Sequence, residues 1–432
     1  MPVRSKYTFL AVFVAAGWCL LFAVVFAPPS FAQGGGIANY EVGTPNVGEA
    51  YAGHAAIARD ASTAFLNPAG MTRLKGTHML MGSEIALLSS GFITDGLNTV
   101  SGTGGWRVGG PMFIPGGYFV RSVNDKLSFG FSFNSPFAIK VDYEPTWAGR
   151  YLTTYVSFVA LEARPSLAYR VNNWLSLGFG LSLERGALRH KNAVANILDP
   201  GFSDGFVDAD LHDWGVGTHY SALLEPSSRT RIGLTYRSQV TLRMEGKISV
   251  QNIGPNLGAY LASAPASDNR FYLPRGANIS LYHDVSGKLA LLADAGYTNW
   301  SVFGRSETKA ANGSVIVTDR NWRDTWRVGV GMRYKLSDRA VFQAGTSYDS
   351  SVVSAWNRTP DAPMDRDLRY ATGLLYAWKP TVTLGMAFEY KDLGPADIRV
   401  PSPYGTGFLS GTHESSRMPF ISLTMIFGPK TN

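Results

Sequence analysis

Apolar and polar residues alternate along this chain over long segments, and the alternation predicts strands. From Trp174 to Glu184, Leu175, Leu177, Phe179, Leu181 and Leu183 interleave with Ser176, Gly178, Gly180, Ser182 and Glu184. A period of two gives a strand one apolar and one polar face. From Arg231 to Glu245, Ile232, Leu234, Tyr236, Val240, Leu242 and Met244 oppose Arg231, Gly233, Thr235, Arg237, Gln239, Thr241, Arg243 and Glu245, so the charges share one face. Similar runs occupy Leu127–Phe133, Trp326–Lys335, Val382–Tyr390 and Ile421–Phe427. Soluble sandwiches also alternate, but their strands average roughly five to six residues. The longer segments here can cross a bilayer at a tilt, which takes about 9–11 residues.

The connections predict the topology. Tight turn sequences occur at Asn124-Asp125, Asn172-Asn173, Glu225-Pro226-Ser227-Ser228, Ser286-Gly287, Ser337-Asp338 and Lys379-Pro380. Longer polar stretches lie between them, near 89–105, 144–153, 191–211, 247–271, 306–319, 350–366 and 393–412. Strict alternation of short and long connections is the up-and-down arrangement of an outer-membrane barrel, with short periplasmic turns and long extracellular loops. Counting segments gives an all-β, 14-stranded antiparallel transmembrane barrel over residues 79–428, with both ends on the periplasmic side.

The N-terminus sets the compartment. Arg4 and Lys6 precede the apolar run Phe9–Phe26, and Ser30-Phe31-Ala32 offers small residues for signal peptidase. Pro28-Pro29 and that site favour a leader, residues 1–32, cleaved after Ala32; a retained anchor is the competing reading. Cys19 is the single cysteine and leaves with the leader, so the mature chain has no disulfide or thiolate chemistry. Bulky Trp18 before Cys19 argues against a lipoprotein site. After Ala32 no apolar stretch approaches the roughly 18 residues of a membrane helix, while aromatics make up 12% of the chain. That combination favours an outer-membrane barrel over a secreted sandwich or propeller, and no blade repeat is visible. The formal charge is only +7, and export makes nucleic acid an implausible partner.

Enzymatic motifs are missing. None of His54, His78, His190, His212, His219, His283 and His413 sits in a Gly-x-Ser-x-Gly or His-Glu-x-x-His setting. Asp208, Asp210, His212 and Asp213 form the one cluster suggestive of a metal, and a solvated loop is the simpler reading. No catalytic residue, cofactor or metal is expected.

Between leader and strands lies a small, Gly- and Ala-rich stretch, about 33–78, containing Asn67-Pro68, a turn-favouring dipeptide. It reads as a plug, with a flexible linker as the alternative. Here the chain resembles the long-chain fatty acid transporters of the Gram-negative outer membrane, a family that also contains aromatic-hydrocarbon channels. The resemblance rests on Gly48-Glu49-Ala50-Tyr51-Ala52-Gly53 with Asn67-Pro68-Ala69, on Leu234-Thr235-Tyr236-Arg237-Ser238, on Tyr297-Thr298-Asn299-Trp300-Ser301, and on Trp326-Arg327-Val328-Gly329 with Asn357-Arg358. It implies a monomeric barrel closed by an N-terminal hatch, inserted by the barrel-assembly machinery among outer-membrane lipid and lipopolysaccharide. It also implies that Asn67, Pro68 and Ala69 act at the gate, against a kinked third strand that opens the wall sideways.

The third strand carries its own sign of a defect. Alternation over Leu127–Phe133 is broken by Asn134-Ser135-Pro136, and proline cannot donate to a ladder. Pro136, Phe137 and Ala138 therefore mark the expected kink, with Ala138 where family members tend to carry glycine. The plainer reading is that Pro136 ends the strand at the outer rim.

A lateral opening suits apolar cargo. Re-exposing a 16-carbon chain to water costs about 0.8 kcal/mol per CH₂, more than about 10 kcal/mol in all, so an aqueous pore is a poor route. The expected function is passive transport of long-chain fatty acids from an outer capture groove, through an apolar lumen pocket, and sideways into the bilayer. An aromatic-hydrocarbon or alkane channel of the same family is the alternative, and a general polar porin or structural barrel a remoter one. By the resemblance, cations of the fifth and ninth strand regions meet the head group, which points to Arg189, Lys309 and Arg185. The apolar loop residues Ile197, Leu198, Phe202, Phe206 and Val207 are candidates for the groove, or pack on neighbouring loops. Phe427 should end the last strand, with 429–432 a short tail.

Overall fold

The computed structural model describes residues 38–40, 42–262, 266–310 and 315–429. The leader with its cleavage site after Ala32, the first residues of the plug segment and residues 430–432 of the tail lie outside the described residues.

One antiparallel sheet of 18 strands dominates. Four of them, Ser89–Thr94, Gly105–Val108, Glu245–Gln251 and Ala396–Ser402, extend its outer end. The other 14 form the wall. In chain order they are β1 (Thr77–Leu87), β2 (Pro111–Ser122), β3 (Leu127–Asp142), β4 (Tyr155–Arg170), β5 (Leu175–Val194), β6 (Gly205–Ser227) and β7 (Thr230–Arg237). They continue as β8 (Gly276–Asp284), β9 (Leu289–Thr298), β10 (Thr325–Lys335), β11 (Ala340–Asp349), β12 (Asp367–Lys379), β13 (Val382–Asp392) and β14 (Gly407–Phe427). Closure comes from β14, which pairs with β13 from Val382↔Phe427 to Asp392↔Arg417 and with β1 from Met79↔Phe427 to Ala86↔Phe420. A closed sheet leaves no edge strand, which is the condition for crossing hydrocarbon with strands. Phe427 ends the last strand, as expected.

All the short connections lie at one end of the barrel, at the turns read from the sequence. The long ones lie at the other end. β5 and β6 pair from Leu175↔Leu224 up to Val194↔Gly205, so the loop between them is only 195–204. Much of the expected 191–211 loop is a tall strand pair.

Burial is inverted relative to a water-soluble protein. On β5, Leu177 is 49% exposed while Ser182, one residue out of phase with it, is 1% exposed. Phe113, Val216, Met386 and Leu423 are likewise exposed on the outer face, and Glu84, Arg164, Arg369 and Glu389 are buried inside. One segment departs from the expected alternation. Ile232, Leu234 and Tyr236 do continue the outer face, but the chain leaves the wall at Ser238, whose N–H donates to Thr218 O and whose Oγ accepts from Thr218 N. Val240–Arg243 then pairs with Arg270–Leu273 in a separate four-stranded sheet, and Val240, Leu242 and Met244 are buried. Their assignment to the outer face is thereby corrected. Leaving the ladder resets which way the side chains point.

The wall has one long interruption. β2 pairs with β1 over its whole length, Pro111 to Arg121, but with β3 only from Gly117↔Phe133 to Ser122↔Ser128. β3 continues beside β4 from Phe137↔Ala160 to Asp142↔Tyr155 after a register shift between Asn134 and Phe137. The outer half of β2 and the outer half of β3 are therefore not hydrogen-bonded to one another. Asn39 N–H donates to Pro136 O (2.9 Å), and Ala38 bridges Phe137. The N-terminal segment thus supplies pairing that the wall strand lacks.

From Val42 to Met71 nearly every residue of that segment is buried. It holds two single-turn α-helices, α1 (His54–Ile57) and α2 (Thr63–Leu66), flanked by 3₁₀ turns at Pro45–Glu49 and Pro68–Arg73. Glycines on the wall let it approach closely: a Cβ at Gly345 would stand 2.0 Å from Glu49 O, and one at Gly82 1.8 Å from Gly43 O. Gly345→Val should therefore push the segment off the β11 wall. Planar-bilayer recordings should then show frequent open events from the variant and at least tenfold fewer from the parent, on the scale of the ~1–3 kcal/mol that overpacking costs.

Candidate functional site

The interior is polar because the outer face is apolar, and the strands fill it with arginines. Each one meets a carboxylate or the carbonyls of the N-terminal segment. Arg333 pairs with Glu49, which also accepts from Gln343 Nε2. Arg231 donates to Ala56 O (2.8 Å) and Ile57 O (3.2 Å), satisfying carbonyls at the end of α1 that have no partner within the helix. Arg164 donates to Phe65 O (3.0 Å) at the end of α2, and Arg73 pairs with Glu225.

Asn67 organises the turn between these helices. Its Oδ1 accepts from Ala69 N (3.0 Å), and its Nδ2 donates to Ala55 O (2.6 Å) and to Ala222 O of β6 (3.1 Å). Pro68 sits at the first position of the 3₁₀ turn, where no N–H is needed. Ala69 N also donates to Ser221 Oγ (3.1 Å). Asn67, Pro68 and Ala69 therefore pack on β5 and β6. Met71 is what touches the lower part of β3, accepting from Ser128 Oγ (3.3 Å), and Ala38 and Asn39 meet the kink.

Between the segment and the wall lies a cavity. Tyr40, Tyr51, His54 and Phe65 bound it on the inner side, and Pro136 and Phe137 at the interruption. Arg164, His219, Arg237, Tyr297 and Arg327 come from β4, β6, β7, β9 and β10. Its lining mixes aromatic rings with arginine, histidine, asparagine and threonine side chains. Tyr51 stacks on His54 (3.8 Å) and on Tyr40 (5.5 Å), and the Arg327 guanidinium lies 4.9 Å from the Tyr51 ring centre. Burial, with Arg327 nearby, holds His54 well below its ordinary pKa, so the ring is neutral at pH 7. Arg237 lies over the Phe137 ring at 4.6 Å while its Nη2 is 2.8 and 2.9 Å from the two oxygens of Glu184. One side chain thus connects the kink to the polar lining.

The cations picked from sequence lie elsewhere. Arg185 and Arg189 have the parity of Leu177 and Leu183, so they point outward and are exposed. Arg189 is held by Asp208 (Nη2 to Oδ2, 2.9 Å), and Arg185 lies 5.9 Å from the Trp214 ring centre. Neither lines the cavity. Lys309 lies in the strand Arg305–Ala310 of the four-stranded sheet; its side chain is outside the described residues. Of the apolar loop residues, Ile197, Leu198, Phe202 and Phe206 are exposed at the outer end and Val207 is half-buried beside Val250. Asp199 fixes this loop by accepting from Asn256 N and Leu257 N at the start of the helix Pro255–Ala262. These residues do not line the cavity. Arg164, His219, Arg237 and Arg327, which do, were missed. They occupy inward positions of wall strands, and strand parity is the signal that finds them.

A Ser–His contact does occur at the outer end. Ser90 Oγ is 3.1 Å from His413 Nδ1 and Tyr143 OH is 3.1 Å from His413 Nε2. All three are buried, and Tyr143 also donates to Pro360 O, so the cluster ties loops together. Among the described residues no group of three His, Cys, Asp or Glu could hold a metal ion.

Comparison with known proteins places this architecture. The model of a family described as outer membrane protein transport protein (OMPP1/FadL/TodX) matches residues 25–407. The chain belongs to this family. It is 26% identical over 381 residues to a long-chain fatty acid transport protein of Escherichia coli O6:H1, covering 81% of this chain and 85% of the relative. Outer membrane protein P1 of Haemophilus influenzae is 26% identical over 391 residues, covering 81% and 84%. Among solved structures, a Pseudomonas aeruginosa FadL homologue superposes with a TM-score of 0.83 at 21% identity, covering 91% of this chain and 99% of that one. The toluene transporter TodX of Pseudomonas putida gives 0.62 at 14% identity, covering 86% and 95%. These superpositions share the fold. This member is accordingly a multi-pass β-barrel of the Gram-negative outer membrane.

Removing Glu49 from this family member leaves Arg333 buried without its carboxylate. Glu49→Ala should lower stability by about 3–5 kcal/mol, seen as a lower temperature for loss of the compact band on unheated gels. Glu49→Met with Arg333→Leu should recover most of the loss.

Proposed function

We propose that the protein carries long-chain fatty acids, and hydrophobic molecules of similar shape, passively across the outer membrane. Residues 33–76 serve as the hatch, and the cargo leaves sideways between β2 and β3. One observation supports this above the others: the cavity is bounded by Pro136 and Phe137, where β3 parts from β2. Cargo in the cavity is one side chain from the place where the wall lacks backbone pairing.

The chemistry fits an amphiphile. Aromatic walls accept a hydrocarbon chain at about 25 cal/mol per Å² of apolar surface removed from water. Polar donors at one side fix the other end. Arg237 is suited to sense occupancy, since a head group that draws its guanidinium inward lifts it from Phe137. Ala38 and Asn39 then have to leave Pro136 and Phe137 for the gap to open. Ile197, Leu198, Phe202 and Phe206 offer an apolar landing surface at the outer end. Arg185 and Arg189 then act outside the cavity, on the outward face of β5. In the same reading, residues 1–32 are a leader removed after Ala32, and the chain works as a monomer. Two of the relatives named above carry fatty acid and toluene in their names, and the cavity is compatible with either.

Uptake of labelled oleate, in cells lacking their own outer-membrane fatty acid transporter, tests the proposal. This protein should restore uptake, and Arg237→Ala should lower it by about tenfold, the value of one charge-assisted hydrogen bond. Correctly inserted protein that restores no oleate uptake would contradict it, and toluene entry into the same cells would assign the hydrocarbon role instead.

A further inference from the structure

The cavity contains three guanidinium groups, and each has a carboxylate of its own in the wall behind it. Arg164 Nε lies 2.6 Å from Glu162 Oε1, Arg237 Nη2 lies 2.8 Å from Glu184 Oε1, and Arg327 pairs with Asp294. All three carboxylates are buried, and none of them lines the cavity. The two rings among the polar lining are neutral. His219 Nδ1 is 2.9 Å from Arg164 Nη1, which can only donate, so Nδ1 is unprotonated and the proton sits on Nε2. His54 donates from Nδ1 to Tyr51 O. Formal charges around the cavity therefore cancel one for one.

Hydrogen-bonding capacity does not cancel. Arg237 Nε, Arg327 Nη1 and His219 Nε2 are buried and have no hydrogen-bond partner. A buried donor left unmade costs free energy that an acceptor on a ligand would recover. The side chains of the lining can thus donate without offering net positive charge, although these three atoms lie beneath the cavity surface as it stands and Asn39 Oδ1, an acceptor on the same lining, is unpaired as well.

We infer that the cavity takes ligands whose polar end is an uncharged acceptor, so that long-chain alcohols and esters are ligands on a par with fatty acids. This rests on the proposed function and narrows it. A carboxylate brought into the cavity would add one negative charge to a balanced set, against the desolvation that any buried ion meets. A hydroxyl or ester carbonyl can accept from the guanidinium and imidazole groups of the lining without that penalty. The exit imposes the same preference, because a lateral route ends in hydrocarbon, where an ionised group is expensive.

The test uses the full-length protein in lipid nanodiscs and a photo-crosslinking hexadecyl probe, with attachment to cavity residues read by mass spectrometry. Hexadecanoate, hexadecanol and methyl hexadecanoate compete with it, each corrected for partition into protein-free discs. Hexadecanol and methyl hexadecanoate should each compete at least as well as hexadecanoate, because neither brings a charge that the lining leaves unbalanced. Glu184→Gln, which removes one balancing charge, should shift the ratio toward the acid by about tenfold or more. Asp294→Asn is the second variant, should Glu184→Gln not fold, and should act in the same direction. Acid preferred over alcohol by more than about threefold in the parent would overturn the inference and leave the transport proposal standing. No attachment of the probe to any cavity residue would overturn both.

Discussion

Backbone pairing in a medium without water is the constraint on which everything else here depends. Each strand crossing hydrocarbon must satisfy its N–H and C=O groups against a neighbour, and the sheet does so by closing β14 onto β1. Closure forces the inverted pattern, with Leu177, Val216 and Met386 outside and Glu84, Arg164 and Arg369 inside. A barrel of this width then has a polar interior too large for side chains alone. Residues 42–76 occupy it, fixed by Arg231, Arg164 and Arg333 to their carbonyls and to Glu49.

The interruption between β2 and β3 stands out against that constraint. Pro136 has no N–H to give, and the register shift around it leaves the outer halves of the two strands without mutual bonds. Asn39 answers Pro136 O from within. A wall defect covered by Ala38 and Asn39, next to a cavity partly lined by aromatic rings, brings three features together. Arg237 connects them physically, since it touches Phe137, Glu184 and the cavity at once.

Much of this was legible from residue order. Alternation and turn chemistry located the wall strands and short turns, because period-two patterning and turn residues are local signals. Pro136 was legible as a ladder breaker for the same reason. The cavity was not legible, since it assembles single residues from β3, β4, β6, β7, β9 and β10 around a segment lying far away in sequence. Parity carried on from Leu183 puts Arg185 and Arg189 on the outward face, where the structure has them. The reversal at Ser238, which turns Val240 and Leu242 inward, depends on a contact with Thr218 that no local pattern announces.

The central claim, exit between β2 and β3, is tested most directly by stapling that gap. Continuing the register beyond Gly117↔Phe133 would set Pro115 opposite Ser135. Pro115→Cys with Ser135→Cys, in a mature chain without other cysteines, can be bridged by a short bis-maleimide on intact cells and the bridge verified by mass spectrometry. Oleate uptake should fall to background in the bridged protein while each single-cysteine variant keeps its uptake under the same treatment. Undiminished uptake through a verified bridge would contradict lateral exit and require a path through the plug.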